Sequence, residues 1–155
     1  MSKPFSKEFT GWIDANGDMN MVLIPDEIAA EFKSKKIRRI QAWLKGNGPI
    51  HRALNVNNGQ TFLYLSKATM KEIDLLAFEE VEVKLAEDTT TYQAPEPAEW
   101  MELMNQDEEI RHRFAAITDG KKRAILFAVS RPKSTEARLR KALSLADELR
   151  MGSIQ

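Results

Sequence analysis

The residues able to do chemistry in this chain are few in kind. It has two histidines, no cysteine, and 23 Lys+Arg against 23 Asp+Glu in 155 residues. Without cysteine there is no thiolate metal site, no thiol nucleophile and no disulfide scaffold. Glu109 and His112 stand three apart, the spacing that sets a carboxylate and an imidazole on one helix face in di-metal bundles. Such a centre needs a second pair and two further glutamates, and the other histidine, His51, falls in a strand pattern. Asp14-Ala15-Asn16-Gly17-Asp18 has the polar spacing of a calcium loop. Its glycine is misplaced and Pro25 stands where the closing glutamate belongs, so a hairpin turn is the better reading. No phosphate-cradling glycine loop, nucleophile elbow or paired-histidine zinc motif is present. The sequence thus implies no metal, no cofactor and no catalytic constellation.

What remains are two basic clusters. Lys33, Lys35, Lys36, Arg38 and Arg39 lie at the end of one short helix pattern and the start of a strand. Arg131, Lys133, Arg138, Arg140 and Lys141 open the last helix. Structurally, the first suits a helix C-terminus and an edge that must not pair, and the second a solvated face. Functionally, the second is the candidate ligand or partner surface, and the first is the alternative, a nucleic-acid contact to phosphates. Neither is interleaved with aromatics for base stacking.

The zero net charge is a sum of opposed blocks. Residues 1–71 carry 11 basic and 6 acidic groups, net +5; residues 72–119 carry 3 and 14, net −11; residues 120–155 carry 9 and 3, net +6. The neutral total argues against coating nucleic acid by bulk charge, and the blocks are expected to meet in the folded protein. Hydrophobic residues at 43% and charged residues at 30% exclude wholesale disorder. The N-terminus has no apolar leader and no apolar run approaches about 18 residues, so the expectation is a cytoplasmic protein with no membrane insertion.

The elements that must position these residues change character part-way along. Phe5 to Ile13 read as a strand, with an Asn16-Gly17 turn and a return through Met21 to Ile24. Pro25 opens a short helix to about Phe32. Ile37 to Leu44 form a strand, Gly46-Asn47-Gly48-Pro49 a turn, and Ile50 to Leu65 a hairpin about Asn57-Asn58-Gly59. A helix near Ala68 to Leu75 and an alternating strand through Val81, Val83 and Leu85 follow. Met21 to Leu44 overlays Phe62 to Leu85 without a gap, hydrophobic on hydrophobic, while Arg38-Arg39 fall on Glu79-Glu80. Two such units suggest a small barrel with pseudo-twofold symmetry. Residues 1–88 are read as the barrel and 89–97, with Pro95 and Pro97, as a linker. Residues 98–155 are read as helices packed on the barrel, leaving a groove lined by the last one. In the helices, Asn105 with Glu108 forms an expected capping box, Gly120 a break, Ser134 a cap, and Leu139, Ala142, Leu143, Ala146 and Leu149 one apolar stripe.

This order, with Val22-Leu23-Ile24-Pro25, Leu63-Tyr64-Leu65-Ser66-Lys67 and a strand closing on Asp88, resembles a bacterial family of unknown function. Its fold is a double-split β-barrel related to the AbrB/MazE barrels. The remainder resembles the helical tail of the YdeI/OmpD-associated, or bacteriocin-protection, family: Asp107 to Phe114, Lys121 to Val129, Pro132-Lys133 and Arg138-Leu139-Arg140-Lys141-Ala142. Ala137 stands where that family usually has Thr, and Glu79-Glu80 where it usually has Gly-Asp. The resemblance implies an α+β chain, a small barrel followed by a helical tail, in a family without an established biochemical activity; with no catalytic constellation found, the expectation is that the chain is not an enzyme. The resemblance further implies a binding or stress- and peptide-protection role with an unknown ligand or protein partner and an open oligomeric state. The fold analogy with AbrB supplies the alternative of nucleic-acid binding.

Overall fold

Alternating burial marks the first strand, β1 (Ser6–Asn16): Ile13 is fully buried while Thr10 and Trp12 are exposed. It belongs to an antiparallel sheet with β2 (Met19–Leu23), β3 (Arg39–Leu44), β4 (Asn47–Ala53), β5 (Asn55–Asn57), β6 (Gln60–Leu65) and β7 (Glu80–Glu87). Two short helices, α1 (Asp26–Ser34) and α2 (Lys67–Ile73), interrupt the strands. The computed structural model describes residues 3–154. The chain divides into Met1–Thr89 and Thr90–Gln155, each with its own hydrophobic core.

The sheet runs in the order β4-β3-β7-β1-β2-β6-β5. Its two ends, β4 and β5, are consecutive in the chain and separated only by Leu54. The sheet is therefore curled, and the stretch 47–57 serves both of its edges. Curling of this kind limits exposed edge strands.

The internal repeat holds at the level of elements. An offset of 41 residues carries Ser6–Asn16 onto Asn47–Asn57, Met19 onto Gln60, Asp26 onto Lys67 and Arg39 onto Glu80. The ladders repeat as well: Phe9↔Val83 corresponds to Ile50↔Ala42, and Trp12↔Glu80 to Ala53↔Arg39. On the other side Asp14↔Met21 corresponds to Asn55↔Phe62. In each repeat one stretch pairs first with a distant strand and then with its own hairpin partner.

The two repeats make that change of partner differently. β1 stays continuous through Gly11, where an added Cβ would meet Val83, Phe9 and Val22 side chains at 3.0–3.2 Å. The equivalent residue, two before the break between β4 and β5 at Leu54, is Arg52. Its guanidinium fills the gap. Nε donates to the Tyr64 carbonyl at 3.0 Å, Nη1 to the His51 carbonyl at 2.8 Å and Nη2 to the Thr69 hydroxyl at 3.0 Å. Desolvation pulls its pKa below the ordinary arginine value.

Local sequence explains most boundaries. The first hairpin turns at Gly17-Asp18 with Gly17 at φ 65°, and the second at Asn58-Gly59 with both at positive φ. β4 begins at Asn47 rather than Ile50 and so contains Pro49. A proline, which lacks an N–H, is tolerated there because β4 is an edge strand.

The second unit consists of α3 (Ala98–Gln106), α4 (Glu108–Ala116), α5 (Asp119–Ser130) and α6 (Thr135–Arg150). Trp100, Ile110, Phe114, Leu126, Val129, Ala142, Ala146 and Leu149 form its core, with the Trp100 and Phe114 rings 5.5 Å apart. Ala94, between the two prolines and β7, is buried in the same core. Ser134 caps α6 as expected, its hydroxyl accepting from the Ala137 N–H. Three expectations are corrected. Asp107, not Asn105, caps α4, accepting from the Ile110 N–H at 3.1 Å, because α3 runs on through Gln106. Gly120 lies inside α5, whose cap is Thr118. Leu139 and Leu143 stay 45% and 47% exposed: the buried line on α6 is Ala142, Ala146 and Leu149, small residues that let helices approach closely.

Replacing Arg52 by Ala removes three charge-assisted hydrogen bonds and orphans their acceptors, so urea unfolding should show a loss of roughly 3 kcal/mol. A substitution that leaves the unfolding midpoint in place would show that the β4–β6 gap needs no filling.

Candidate functional site

The cations of α6 are largely occupied within their own unit. Arg138 Nε pairs with Glu99 at 3.2 Å, and Nη1 donates to the Pro132 and Lys133 carbonyls at 3.0 Å each. Arg140 pairs with Glu136 one turn away at 3.1 Å. Arg131, Lys133 and Lys141 are exposed. Further along, Arg150 grips Asp107, Glu109 and Asp147. The Asp107 carboxylate is held below its usual range first by the Ile110 N–H and then by Arg150. Glu99 is held down by its own backbone N–H and by Arg138. Arg138–Glu99, Arg150–Asp107 and Arg150–Glu109 join the acidic and basic blocks, as does Lys45–Glu79 at 3.3 Å in the first unit.

The N-terminal cluster divides. Lys35 Nζ lies 4.8 Å from the centre of the Phe5 ring, and Arg39 sits on β3, half-buried. Lys33, Lys36 and Arg38 line a cleft of about 820 Å³. Among the described residues none of these three has an ion-pair partner.

One wall of the cleft is a single face of α1, with Asp26, Ala29, Ala30 and Lys33 at i, i+3, i+4 and i+7. The other is the β5–β6 hairpin, including Val56, which is 67% exposed, and Thr61. Leu54 and Ile37 form the floor, and the Leu54 N–H donates to the Arg38 carbonyl at 2.8 Å, tying the two walls together. The volume falls within the range of small-ligand sites. The cleft presents more apolar than polar surface and carries three cations against the one carboxylate of Asp26.

Lys36 occupies an unusual backbone position. α1 ends with the Ile37 N–H donating to the Phe32 carbonyl and the Lys36 N–H to the Lys33 carbonyl, both at 3.0 Å. This double closure puts the intervening residue in the left-handed region, where glycine is favoured, and Lys36 has φ 60°. The closure also satisfies carbonyls at the negative end of α1. That end is equivalent to about half a charge, so three cations leave the site net positive.

The second repeat supplies an internal comparison. Its helix ends in the same closure, Leu75 to Met70 at 2.8 Å, with Asp74 at φ 60°. At the equivalent place Met70 replaces Ala29 and is buried against the barrel core. Charges are reversed at the same offset: Lys67 stands for Asp26, Asp74 for Lys33 and Glu79 for Arg38, while Ala77 stands for Lys36. Two of the reversed charges, Glu79 and Lys67, have ion-pair partners. Lys45 Nζ donates to the Asp74 carbonyl at 2.8 Å and pairs with Glu79, while Lys67 lies 3.7 Å from Asp18. The fold therefore does not require an open, basic cleft beside its helices; residues of the first repeat make one.

Of the cleft, sequence reading found the cations and missed Ala29, Ala30, Leu54 and Val56. The small pair Ala29-Ala30 opposite Met70-Lys71 in the repeat was the available signal. A second unforeseen pair is His51 and Asp88, with Nδ1 and Oδ2 2.6 Å apart and the aspartate side chain fully buried. Among the described residues no group of three or more His, Asp or Glu could hold a metal ion, and no helix is long and apolar enough to cross a membrane. No protein-family model matches the chain, and no curated protein matches it.

Two measurements follow. Lys36→Gly relieves the left-handed strain and should raise the stability of the first unit by roughly 1 kcal/mol in urea; an unchanged or lower value would mean Lys36 makes compensating contacts. For Asp107, whose folded pKa is depressed, the stabilisation is complete above the unfolded carboxylate value of about 3.9. It drains away as pH falls through the lower folded value. Asp107→Asn should flatten the acid limb of thermal stability for the helical unit, and an identical limb in the variant would assign that loss to other carboxylates.

Proposed function

We propose that this chain is a non-enzymatic binding protein whose site is the α1 cleft, and that its ligand is an anion. The observation that supports the reading is the contrast between the repeats. Among the described residues Lys33, Lys36 and Arg38 have no ion-pair partner, while beside α2 Met70 is buried in the core and Lys45 pairs with Glu79. Three like charges held close repel one another, and an anion relieves that repulsion as it binds. Of the cations about the start of α6, Arg138 and Arg140 already have carboxylate partners, and Arg131, Lys133 and Lys141 are exposed.

The curled sheet is read, as part of the same proposal, as a double-split barrel of the AbrB/MazE kind carrying a YdeI/OmpD-associated helical tail. In support, each repeat has one stretch that divides its pairing between two neighbours. A role in protection against cationic peptides does not run through this cleft, whose net charge would repel them.

The test is a thermal-shift titration of the full chain with inorganic phosphate at low ionic strength. Stabilisation is expected, and it should fall at least tenfold in apparent affinity in a Lys33→Ala, Arg38→Ala double variant. Absence of any shift overturns the reading. Duplex DNA serves as the competing case. Tight binding whose log–log salt slope is about −3, for three phosphates neutralised, and which is lost in the same variant would make the cleft a nucleic-acid contact instead.

A further inference from the structure

We infer that the ligand of the α1 cleft is a small amphipathic anion, a phosphate or carboxylate head on a short aliphatic or aromatic body. The inference rests on the anion-binding reading above and adds to it what the shape of the site requires. The cations are gathered at one end. Lys33 closes the last turn of α1, and Lys36 and Arg38 follow it. Asp26 stands seven residues earlier on the same face, about 10 Å away along the axis at 1.5 Å per residue. Between them the wall is Ala29 and Ala30, facing Leu54 and Val56. An inorganic anion would use only the cationic end and leave that apolar stretch wet. A long polyanion would carry further charges over apolar surface and towards the Asp26 carboxylate. A molecule with one charged end and an apolar body matches both parts at once, since burial against Val56 and Leu54 takes exposed hydrocarbon out of water.

The twin site shows what would close the cleft. Met70, at the position of Ala29, buries its side chain in the core of the unit, where Ala29 offers only a methyl group. In the first repeat the two alanines leave that volume open, and the ligand's body takes the place of the methionine side chain. The same comparison bears on the charge of the head: in the second repeat Lys45, just past β3, pairs with Glu79, the counterpart of Arg38. The ligand supplies for Arg38 the opposite charge that Lys45 supplies for Glu79.

Isothermal titration calorimetry of the full chain with octyl phosphate, octanoate, inorganic phosphate and octanol, each below its aggregation threshold, tests this. Octyl phosphate is expected to bind at least tenfold more tightly than either inorganic phosphate or octanol, with a negative heat-capacity change. Ala29→Met, which installs the residue that the fold already accommodates at Met70, should lower octyl phosphate affinity to that of inorganic phosphate while leaving inorganic phosphate unaffected. Lys36→Gly should weaken both anions while the melting temperature rises, separating binding from folding. Equal affinity for octyl and inorganic phosphate in the wild-type chain overturns the amphipath and leaves the anion cleft standing. Binding of none of the anions overturns both. Octanol bound as tightly as octyl phosphate removes the role of the cations.

Discussion

A curled antiparallel sheet has to solve its edges, and in this protein the solution is a strand that changes partner. Every backbone N–H and C=O of a buried strand needs a partner, and a strand with one free side is a template for aggregation. β1 meets the demand by pairing with β7 along its first half and β2 along its second. The stretch 47–57 does the same with β3 and β6. The two helices, the hairpins and the cleft all sit where this division places them. Gly11 and Arg52 mark equivalent points of change, one by omitting a side chain that would collide and the other by filling a gap with hydrogen bonds.

Because the two repeats share a backbone plan, differences between them isolate the work of individual side chains. α1 and α2 start at equivalent positions and each ends in a left-handed closure, yet α1 borders an open basic cleft, while beside α2 Met70 is buried in the core and Glu79 is paired with Lys45. The difference comes down to a few substitutions: Ala29 against Met70, Lys33 against Asp74 and Arg38 against Glu79. A fold under no demand at that cleft would gain by closing it and by placing glycine at the left-handed residue. That the first repeat does neither is the physical ground for reading the cleft as a binding site.

Charge follows the same logic in the helical unit with the opposite result. There the basic residues near the start and end of α6 meet carboxylates of α3 and α4, through Arg138–Glu99 and Arg150–Asp107. The neutral total of the chain thus combines ion pairs that join the opposed blocks with three cations at the α1 cleft that have no ion-pair partner among the described residues. Arithmetic over the sequence could show the blocks but not which cations would find partners, since pairing depends on side chains brought together across 39 and 43 residues of chain.

Periodicity and turn chemistry alone determined the alternating strands, the two short helices, both hairpin turns and the gapless repeat, because these depend on neighbours within a few residues. The change to helices after Pro97 and the Ser134 cap were legible for the same reason. Helix starts near Asn105 and Gly120 were misplaced by one or two residues, where several polar residues could each serve as cap and packing chose among them. Only the tertiary structure decided which members of a basic run act together: Lys35 turns to Phe5 and Arg39 lies on the sheet, leaving Lys33, Lys36 and Arg38 around the cleft. It alone brought Leu54 and Val56 opposite Ala29 and Ala30, His51 against Asp88, and Arg52 into the gap between β4 and β6. Such contacts join residues distant in sequence, and their partners are set by strand order and register rather than by any local pattern.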